Sequence, residues 1–266
     1  MTQTVSFIGS GAIGGGLARL AVKAGWNVVL SNSRGPATLA GLVAELGSLA
    51  RAATPEEAAR QGDLVVASVP FKDYKSLPAD ALAGKVVIDT MNYYPLRDGD
   101  VPELDKARAI TSPLVQKHLK KSRVVKALHN LEYRRLLTSA RPAGSPDRRA
   151  LPIAGDDAAA KQKVAQFMDA IGYDAVDIGT LADSWRCGPA SPLYVIPYIG
   201  TGPAGMTPEE AKRWFINTPG VAVSASEVKE LAAKAVLHDK MWGTPEALPP
   251  GMRDVMMEER AAASPR

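Results

Sequence analysis

An apolar run that leads directly into a glycine-rich turn and a helical pattern is the feature that most constrains this fold. Residues 5–8 precede Gly9, Gly11 and Gly14, which fit the spacing G-x-G-x-x-G. The first glycine allows a tight turn, the second a close approach to pyrophosphate, and the third close packing of helix on strand. Phosphates bind at such helix N-termini because unpaired N–H groups and the helix dipole favour negative charge. We therefore predict a dinucleotide site formed by Gly9, Ser10, Gly11, Ala12, Ile13 and Gly14.

Apolar strand-like runs and helical patterns alternate along the following 170 residues or so. Such near-continuous apolar strands are typical of parallel sheets with helices on both faces. The sequence therefore predicts an α/β fold with a Rossmann-type, doubly wound and mostly parallel sheet. The predicted strands cover residues 5–8, 27–31, 49–53, 63–70, 86–89, 124–128, 151–154 and 174–178.

The pattern becomes irregular after Thr180, where proline, glycine and aromatic residues are frequent. We predict an NADP-binding Rossmann domain over residues 1–180 and a C-terminal helical and irregular extension over 181–266. In the extension, helices are expected after Thr207 and over 224–240, separated by loops that line a pocket. The last stretch, 243–266, is expected to form a flexible tail.

The loop after the second strand selects between the two nicotinamide dinucleotides. An NAD-binding protein usually carries a carboxylate about 20 residues after the glycine turn, where it binds the ribose 2′-hydroxyl. This chain has Asn32, Ser33 and Arg34 there. Two hydrogen-bonding side chains and a planar cation suit a 2′-phosphate, so they predict NADP(H) as cofactor. Alternatively, Arg34 is a solvated loop residue.

The remaining strand ends are expected to lie near the nicotinamide, because ligands bind at the carboxyl ends of parallel strands. We assign Val69, Pro70 and Asn92 to cofactor binding, although Pro70 alternatively just ends its strand. His129 and Asn130 are the predicted catalytic residues. A histidine there can hydrogen-bond a bound carbonyl or ring nitrogen, or act as an acid; alternatively, backbone groups satisfy it.

Composition narrows the possible partners. The formal charge is +4, and no basic stripe interleaved with aromatics is found, so nucleic acid is not an expected partner. The single cysteine, Cys187, forms neither an intramolecular disulfide nor a thiolate zinc cluster, which indicates a reducing cytoplasm. No membrane span and no metal site are predicted.

Several segments together resemble the NADPH-dependent reductases of the deazaflavin coenzyme F420, in register over about residues 5–186. They include the glycine turn, the segments around Arg34 and Asp89, and the segments 123–127, 153–157 and 171–177. The resemblance implies direct hydride transfer between nicotinamide and deazaflavin. It also implies that Asn32, Ser33 and Arg34 take the 2′-phosphate, that His129 and Asn130 lie beside the stacked rings, and that Ser184 and Arg186 contact the deazaflavin.

Family members are shorter than this chain, and residues 185–266 match none of their motifs. Three functions therefore stay open. The first is an NADPH:F420 oxidoreductase, and the second reduces an organic carbonyl or imine, with His129, Tyr93 or Tyr94 as proton donor. The third is a non-catalytic NADP-binding sensor whose extension contacts a partner protein. In the two enzymatic readings the partner is a small-molecule redox substrate, and the Pro-rich segment after Thr180 suggests a homodimer contact.

Overall fold

Eight strands form one continuous sheet in this computed structural model, which describes residues 3–101, 104, 110–189, 191–237 and 248–263. The spatial order is β3-β2-β1-β4-β5-β6-β7-β8. The strands are β1 Thr4–Ile8, β2 Asn27–Ser31, β3 Ala50–Ala52, β4 Leu64–Ala67, β5 Val86–Asp89, β6 Arg123–Lys126, β7 Ala150–Gly155 and β8 Asp174–Asp177.

The first six strands run parallel to their neighbours in the order 3-2-1-4-5-6, which is that of dinucleotide-binding folds. The predicted doubly wound, mostly parallel sheet is confirmed. β7 is antiparallel to β6, with Lys126 opposite Ala154, and β8 is parallel to β7. The last two predicted strands thus extend the sheet, with reversed direction.

Helices cover both faces of the sheet and continue into the C-terminal region. They are α1 Ala12–Lys23, α2 Ala40–Leu46, α3 Pro55–Gln61, α4 Pro95–Asp98, α5 Thr111–His118, α6 Tyr133–Thr138, α7 Ala158–Ala170, α8 Ile196–Ile199, α9 Pro208–Asn217, α10 Ala225–Lys234 and α11 Met252–Ala263. Short 3-10 turns cover Pro36–Leu39, Gly47–Leu49, Phe71–Ser76 and Leu181–Cys187.

Local sequence explains where several of these elements begin. β4 and β5 are apolar at almost every position, and all their residues are buried because helices lie on both faces. Thr54, Thr207 and Ser224 each start a helix with a capping box, in which a glutamate three residues later binds the cap backbone N–H.

The C-terminal extension packs on the outer part of the sheet. The Ala150 N–H of β7 donates to the Val223 carbonyl at 2.8 Å, and the Tyr198 hydroxyl donates to the Ala150 carbonyl at 3.0 Å. Side chains such as Val223 and Val228 belong to the same buried cluster as Val5 of β1. The extension therefore shares one core with the sheet, and the division at residue 180 stays a prediction.

Two expectations for the extension need correction. Residues 252–263 form helix α11, and Met252 and Val255 are buried against Phe215, so a flexible tail is wrong for this stretch. The apolar positions on α11 gain a partner in α9, which no local pattern reveals. The helix predicted over 224–240 ends at Lys234, and residues 238–247 lie outside the described part. None of the described helices is both long and apolar enough to cross a bilayer.

Candidate functional site

The glycine turn has the geometry that its spacing predicts. Gly9 has φ +98°, a conformation that side chains with a Cβ rarely adopt, and it lies against the Ser68 carbonyl. A Cβ on Gly14 would overlap the Gly9 carbonyl oxygen, so this position requires glycine for close packing of α1. A Cβ on Gly11 would meet no protein atom within 4 Å. Space for a ligand therefore lies directly over the Gly11 backbone.

The N-terminus of α1 is left open toward that space. Gly11 is the N-cap residue and provides no side-chain cap, and no acidic side chain lies in the first turn. The Ser10 hydroxyl donates to the Ser31 carbonyl at 3.0 Å, which ties the turn to the end of β2. Unpaired backbone N–H groups and the positive end of the helix dipole thus face a cradle suited to pyrophosphate.

The loop after β2 presents a cation beside this cradle. Asn32 Nδ2 donates to the Thr38 hydroxyl at 2.9 Å, and Asn32 Oδ1 accepts from the Arg34 backbone N–H at 3.0 Å. Ser33 and Arg34 are exposed. Within the described residues, the Arg34 guanidinium has no hydrogen bond or ion pair, so it is available to an anion such as a 2′-phosphate.

A cavity of about 460 Å³ continues from the turn across the ends of β4, β5 and β6. Its walls come from three parts of the chain: the start of α1, the loops after these strands, and the C-terminal extension. The lining residues are Gly11, Ala12, Ile13, Ser68, Val69, Pro70, Thr90, Met91, Asn92, Tyr94, Arg97, His129, Leu131, Glu132, Tyr133, Tyr194, Val195, Met252 and Met256. The structure therefore brings together the predicted residues Val69, Pro70, Asn92 and His129.

The floor of the cavity is held by hydrogen bonds between neighbouring strand ends. Asn92 Nδ2 donates to the His129 carbonyl at 2.8 Å, while Asn92 Oδ1 is buried without a partner in the described chain. Beneath Asn92, the buried Lys126 ammonium donates to the Met91 carbonyl and lies 3.5 Å from Asp89 Oδ2. Asp89 also accepts from the Ser112 hydroxyl at 2.7 Å. The loop that carries Asn92 is thereby fixed from below.

His129 is neutral in this environment. Its ring is 4% exposed, and Nε2 lies 2.9 Å from the Cys187 carbonyl, which can only accept, so the hydrogen resides on Nε2. Burial, together with the nearby Lys126 ammonium, holds the pKa of His129 well below its usual value. The Nε2–H group thus donates to a backbone carbonyl, while Nδ1 is buried without a partner among the described residues. The catalytic role of His129 stays a prediction.

Asn130 has a positioning contact outside the cavity lining. It is fully buried, and Nδ2 donates to the Leu193 carbonyl and to the Tyr198 hydroxyl, each at 3.2 Å. Its carbonyl accepts from the Val195 N–H at 3.2 Å. Val195 has φ +53°, which is rare for a β-branched residue, and it forms part of the cavity wall. Asn130 therefore holds the extension against the end of β6.

Two tyrosines form the wall opposite His129. The hydroxyls of Tyr94 and Tyr194 are hydrogen-bonded to each other, and the Arg97 guanidinium stacks 4.9 Å from the Tyr94 ring centre. Burial raises the pKa of Tyr94 and raises that of Tyr194 further, so both phenols keep their protons. Sequence reasoning missed Tyr194 as a site residue, because only its aromatic-rich segment indicated a pocket. It also missed Met252 and Met256, for which no local signal exists.

The structure does not bring Ser184 and Arg186 into the cavity lining. Ser184 is buried, and its hydroxyl lacks a partner in the described residues. Arg186 stacks 4.5 Å from the Trp185 ring centre and donates to the Ala232 carbonyl at 3.2 Å. The Cys187 carbonyl of the same segment contacts His129 Nε2. Among the described residues, no cluster of three or more His, Cys, Asp or Glu side chains could hold a metal ion.

The sheet order and the glycine cradle are those of Rossmann-type dinucleotide-binding folds. Comparison with known proteins agrees. Residues 4–93 match the model of the family described as NADP oxidoreductase, coenzyme F420-dependent. The resemblance identified from the sequence is therefore confirmed for this family.

Longer matches come from one curated relative and two solved structures. Rat metalloreductase STEAP3 is 32% identical over 196 residues, which cover 73% of this chain but only 37% of the relative. A hypothetical protein of Sinorhizobium meliloti has a TM-score of 0.62 and 27% identity, covering 74% of this chain and 94% of its own. A putative F420-dependent NADP reductase of Arthrobacter sp. FB24 has a TM-score of 0.58 and 24% identity, with coverages of 68% and 86%. At 24% identity, the likeness to the Arthrobacter protein shows that the two chains share a fold.

Proposed function

We propose that the chain transfers a hydride between NADPH and a deazaflavin, coenzyme F420. The observation that carries the proposal is that the open glycine cradle at Gly11 continues into a cavity lined largely by aromatic and apolar side chains. Arg34, whose guanidinium has no partner within the described residues, follows the strand next to the cradle. The match of residues 4–93 to the F420-dependent NADP oxidoreductase family supports it. The sites named in the sequence analysis, apart from Ser184 and Arg186, are part of this proposal, as is the division into residues 1–180 and 181–266.

Hydride transfer needs two rings held in contact rather than a nucleophile, so positioning is the main task of these residues. The α1 N-terminus at Gly11 binds pyrophosphate, and Asn32, Ser33 and Arg34 bind the 2′-phosphate. When bound, the dinucleotide would supply or accept the hydride, and the ends of β4, β5 and β6 would hold its nicotinamide. There Val69 and Pro70 support one ring face, while Met252 and Tyr194 exclude water.

Spectroscopic titration with NADPH and purified coenzyme F420 tests the proposal. We expect NADPH-dependent bleaching of the deazaflavin absorbance band at a rate proportional to protein concentration. The Gly11→Ala variant supplies the matched control, because its Cβ occupies the ligand space over the cradle without meeting a protein atom. Tight NADPH binding without any bleaching overturns the F420 assignment. Tight binding without turnover of any acceptor supports the non-catalytic sensor instead.

A second candidate, reduction of an organic carbonyl or imine, is favoured by one observation. The protonated Tyr94 and Tyr194 hydroxyls line the cavity, where either could donate to an acceptor oxygen or nitrogen. Tyr94→Phe should then lower kcat by about 100-fold or more, whereas deazaflavin turnover should be nearly unchanged. The control is Tyr74→Phe, because Tyr74 is a buried tyrosine outside this cavity.

The acceptors tested for turnover should include a chelated metal ion, because the rat relative is named a metalloreductase.

We also propose a cytoplasmic homodimer. The single cysteine supports the reducing compartment, and exposed apolar side chains of the extension, such as Ile216 and Val221, support a subunit contact. Light scattering after size-exclusion chromatography should give twice the chain mass, and a monomeric mass would overturn the dimer.

A further inference from the structure

A second cavity, of about 520 Å³, lies on the other side of α6 from the cofactor cavity. Four arginines line it, namely Arg134, Arg135, Arg141 and Arg149, together with a single carboxylate, Asp147. Its remaining wall is formed largely by residues 216–220 of the extension. No part of the proposed hydride transfer uses this cavity.

Arg149 is the most unusual member of this group. It is only 5% exposed, and its Nε and Nη2 donate to the carbonyls of Val221 at 2.7 Å and Pro219 at 2.8 Å. No carboxylate of the described chain lies within ion-pair distance of it. The adjacent Arg148 is equally buried, but it reaches Asp169 at 2.7 Å and Asp174 at 2.8 Å. Two neighbouring buried arginines thus differ in that only one has anionic partners.

The other charges at the cavity leave a positive excess. Arg135, which is 2% exposed, and Arg134 both pair with one carboxylate, Glu132, at 2.7 Å. Arg141 pairs at the rim with Asp147 at 2.6 Å. Arg149 is thus the lining arginine for which the described residues provide no carboxylate within ion-pair distance. A buried guanidinium without an anion is costly, and a bound anion removes that cost.

We propose that this cavity is a binding site for a small oxyanion, a phosphate or carboxylate group, with Arg149 as its anchor. Two backbone carbonyls fix the guanidinium plane, so its remaining N–H groups are preorganised for an oxyanion. When the anion binds, the Arg141 guanidinium leaves Asp147 and contacts the anion, and it thereby covers the rim of the cavity. Glu132, which lines the cofactor cavity and pairs with Arg135, connects the two cavities.

Calorimetric titration of the full chain, already saturated with NADP+, tests the site apart from the 2′-phosphate corner. Inorganic phosphate and citrate are titrated separately, and we expect one saturable site per chain. Arg149→Gln should weaken binding at least tenfold, since it removes a charge-assisted contact. Tighter binding of phosphate assigns phosphate esters, whereas tighter binding of citrate assigns polycarboxylates.

Two further variants keep the test decisive. Arg141→Gln alters a half-exposed rim residue, so it should fold normally and still weaken the anion several-fold. Arg123→Gln removes an exposed charge that hydrogen-bonds the Gly84 carbonyl far from both cavities, and it should bind the anion like the wild type. Absence of saturable binding in the wild type, or equal affinity in Arg141→Gln, overturns the proposal. NADP+ affinity, measured alongside, separates this outcome from failure of the cofactor site.

Discussion

The proposed nucleotide end of the site consists of two short stretches of sequence, whereas the proposed acceptor end joins residues from strand loops and the distant extension. The six-residue glycine turn and Asn32–Arg34 act through backbone geometry and an exposed charge. Tyr94, His129, Tyr194 and Met252 form the acceptor end through burial and mutual contacts. The first end is thus specified locally, and the second by packing. Changes at the two ends should therefore separate cofactor binding from acceptor turnover.

The largest effect is expected from two glycine substitutions that look alike in sequence. Gly14→Ala forces a Cβ into the Gly9 carbonyl and should destabilise the protein by about 3 kcal/mol. Gly11→Ala meets no protein atom, so thermal unfolding should stay unchanged while NADPH affinity falls. Calorimetric melting and NADPH titration measure both quantities. A large loss of stability in Gly11→Ala would contradict the open cradle.

The Arg34→Ala variant tests whether Arg34 binds the 2′-phosphate of NADPH. Loss of a charge-assisted contact should weaken NADPH binding about 70-fold while leaving NADH binding nearly unchanged. Fluorescence titration with both dinucleotides gives the ratio. Arg123→Ala provides the charge-matched control. Equal losses for the two dinucleotides would refute the assignment.

Met252→Ala tests the acceptor end from the extension. Met252 is 6% exposed in a cluster with Tyr194 and Phe215, and its truncation should cost about 2 kcal/mol of stability. Because it does not touch the glycine cradle, NADPH affinity should be retained while KM for the acceptor rises. Met257→Ala, at an exposed position on the same helix, is the control and should change neither. Parallel loss of NADPH affinity would show that the two ends are not separable.

The smallest predicted effect is the change with pH that His129 causes in the free energy of unfolding. Its folded pKa lies well below the unfolded value of about 6.5, so below that pH the unfolded state binds more protons. The stabilisation is complete above about pH 6.5 and falls by up to about 1.4 kcal/mol per pH unit as the solution becomes more acidic. Urea unfolding between pH 5 and 8 should show this slope, and His129→Gln should reduce it. An unchanged slope in the variant would contradict a buried neutral imidazole.

Much of the fold follows from local pattern. Apolar runs without alternation predicted buried parallel strands, and capping motifs predicted the starts of α3 and α9. The reversed direction of β7 was not predictable, because both directions suit an equally apolar strand. Helix α11 was missed, since its few apolar positions become a packing face only beside Phe215.

By itself, the sequence determined the features of the proposed nucleotide end: a strand, glycines at the spacing that a tight turn requires, and Arg34 in place of a carboxylate. These features act through backbone conformation and the charge of neighbouring residues, both of which are local. Tertiary structure alone decided that Tyr94 meets Tyr194, that Ser184 and Arg186 lie away from the cavity, and that His129 is neutral. Contacts between distant residues, and the desolvation that shifts a pKa, exist only once the folded chain has removed water from around them.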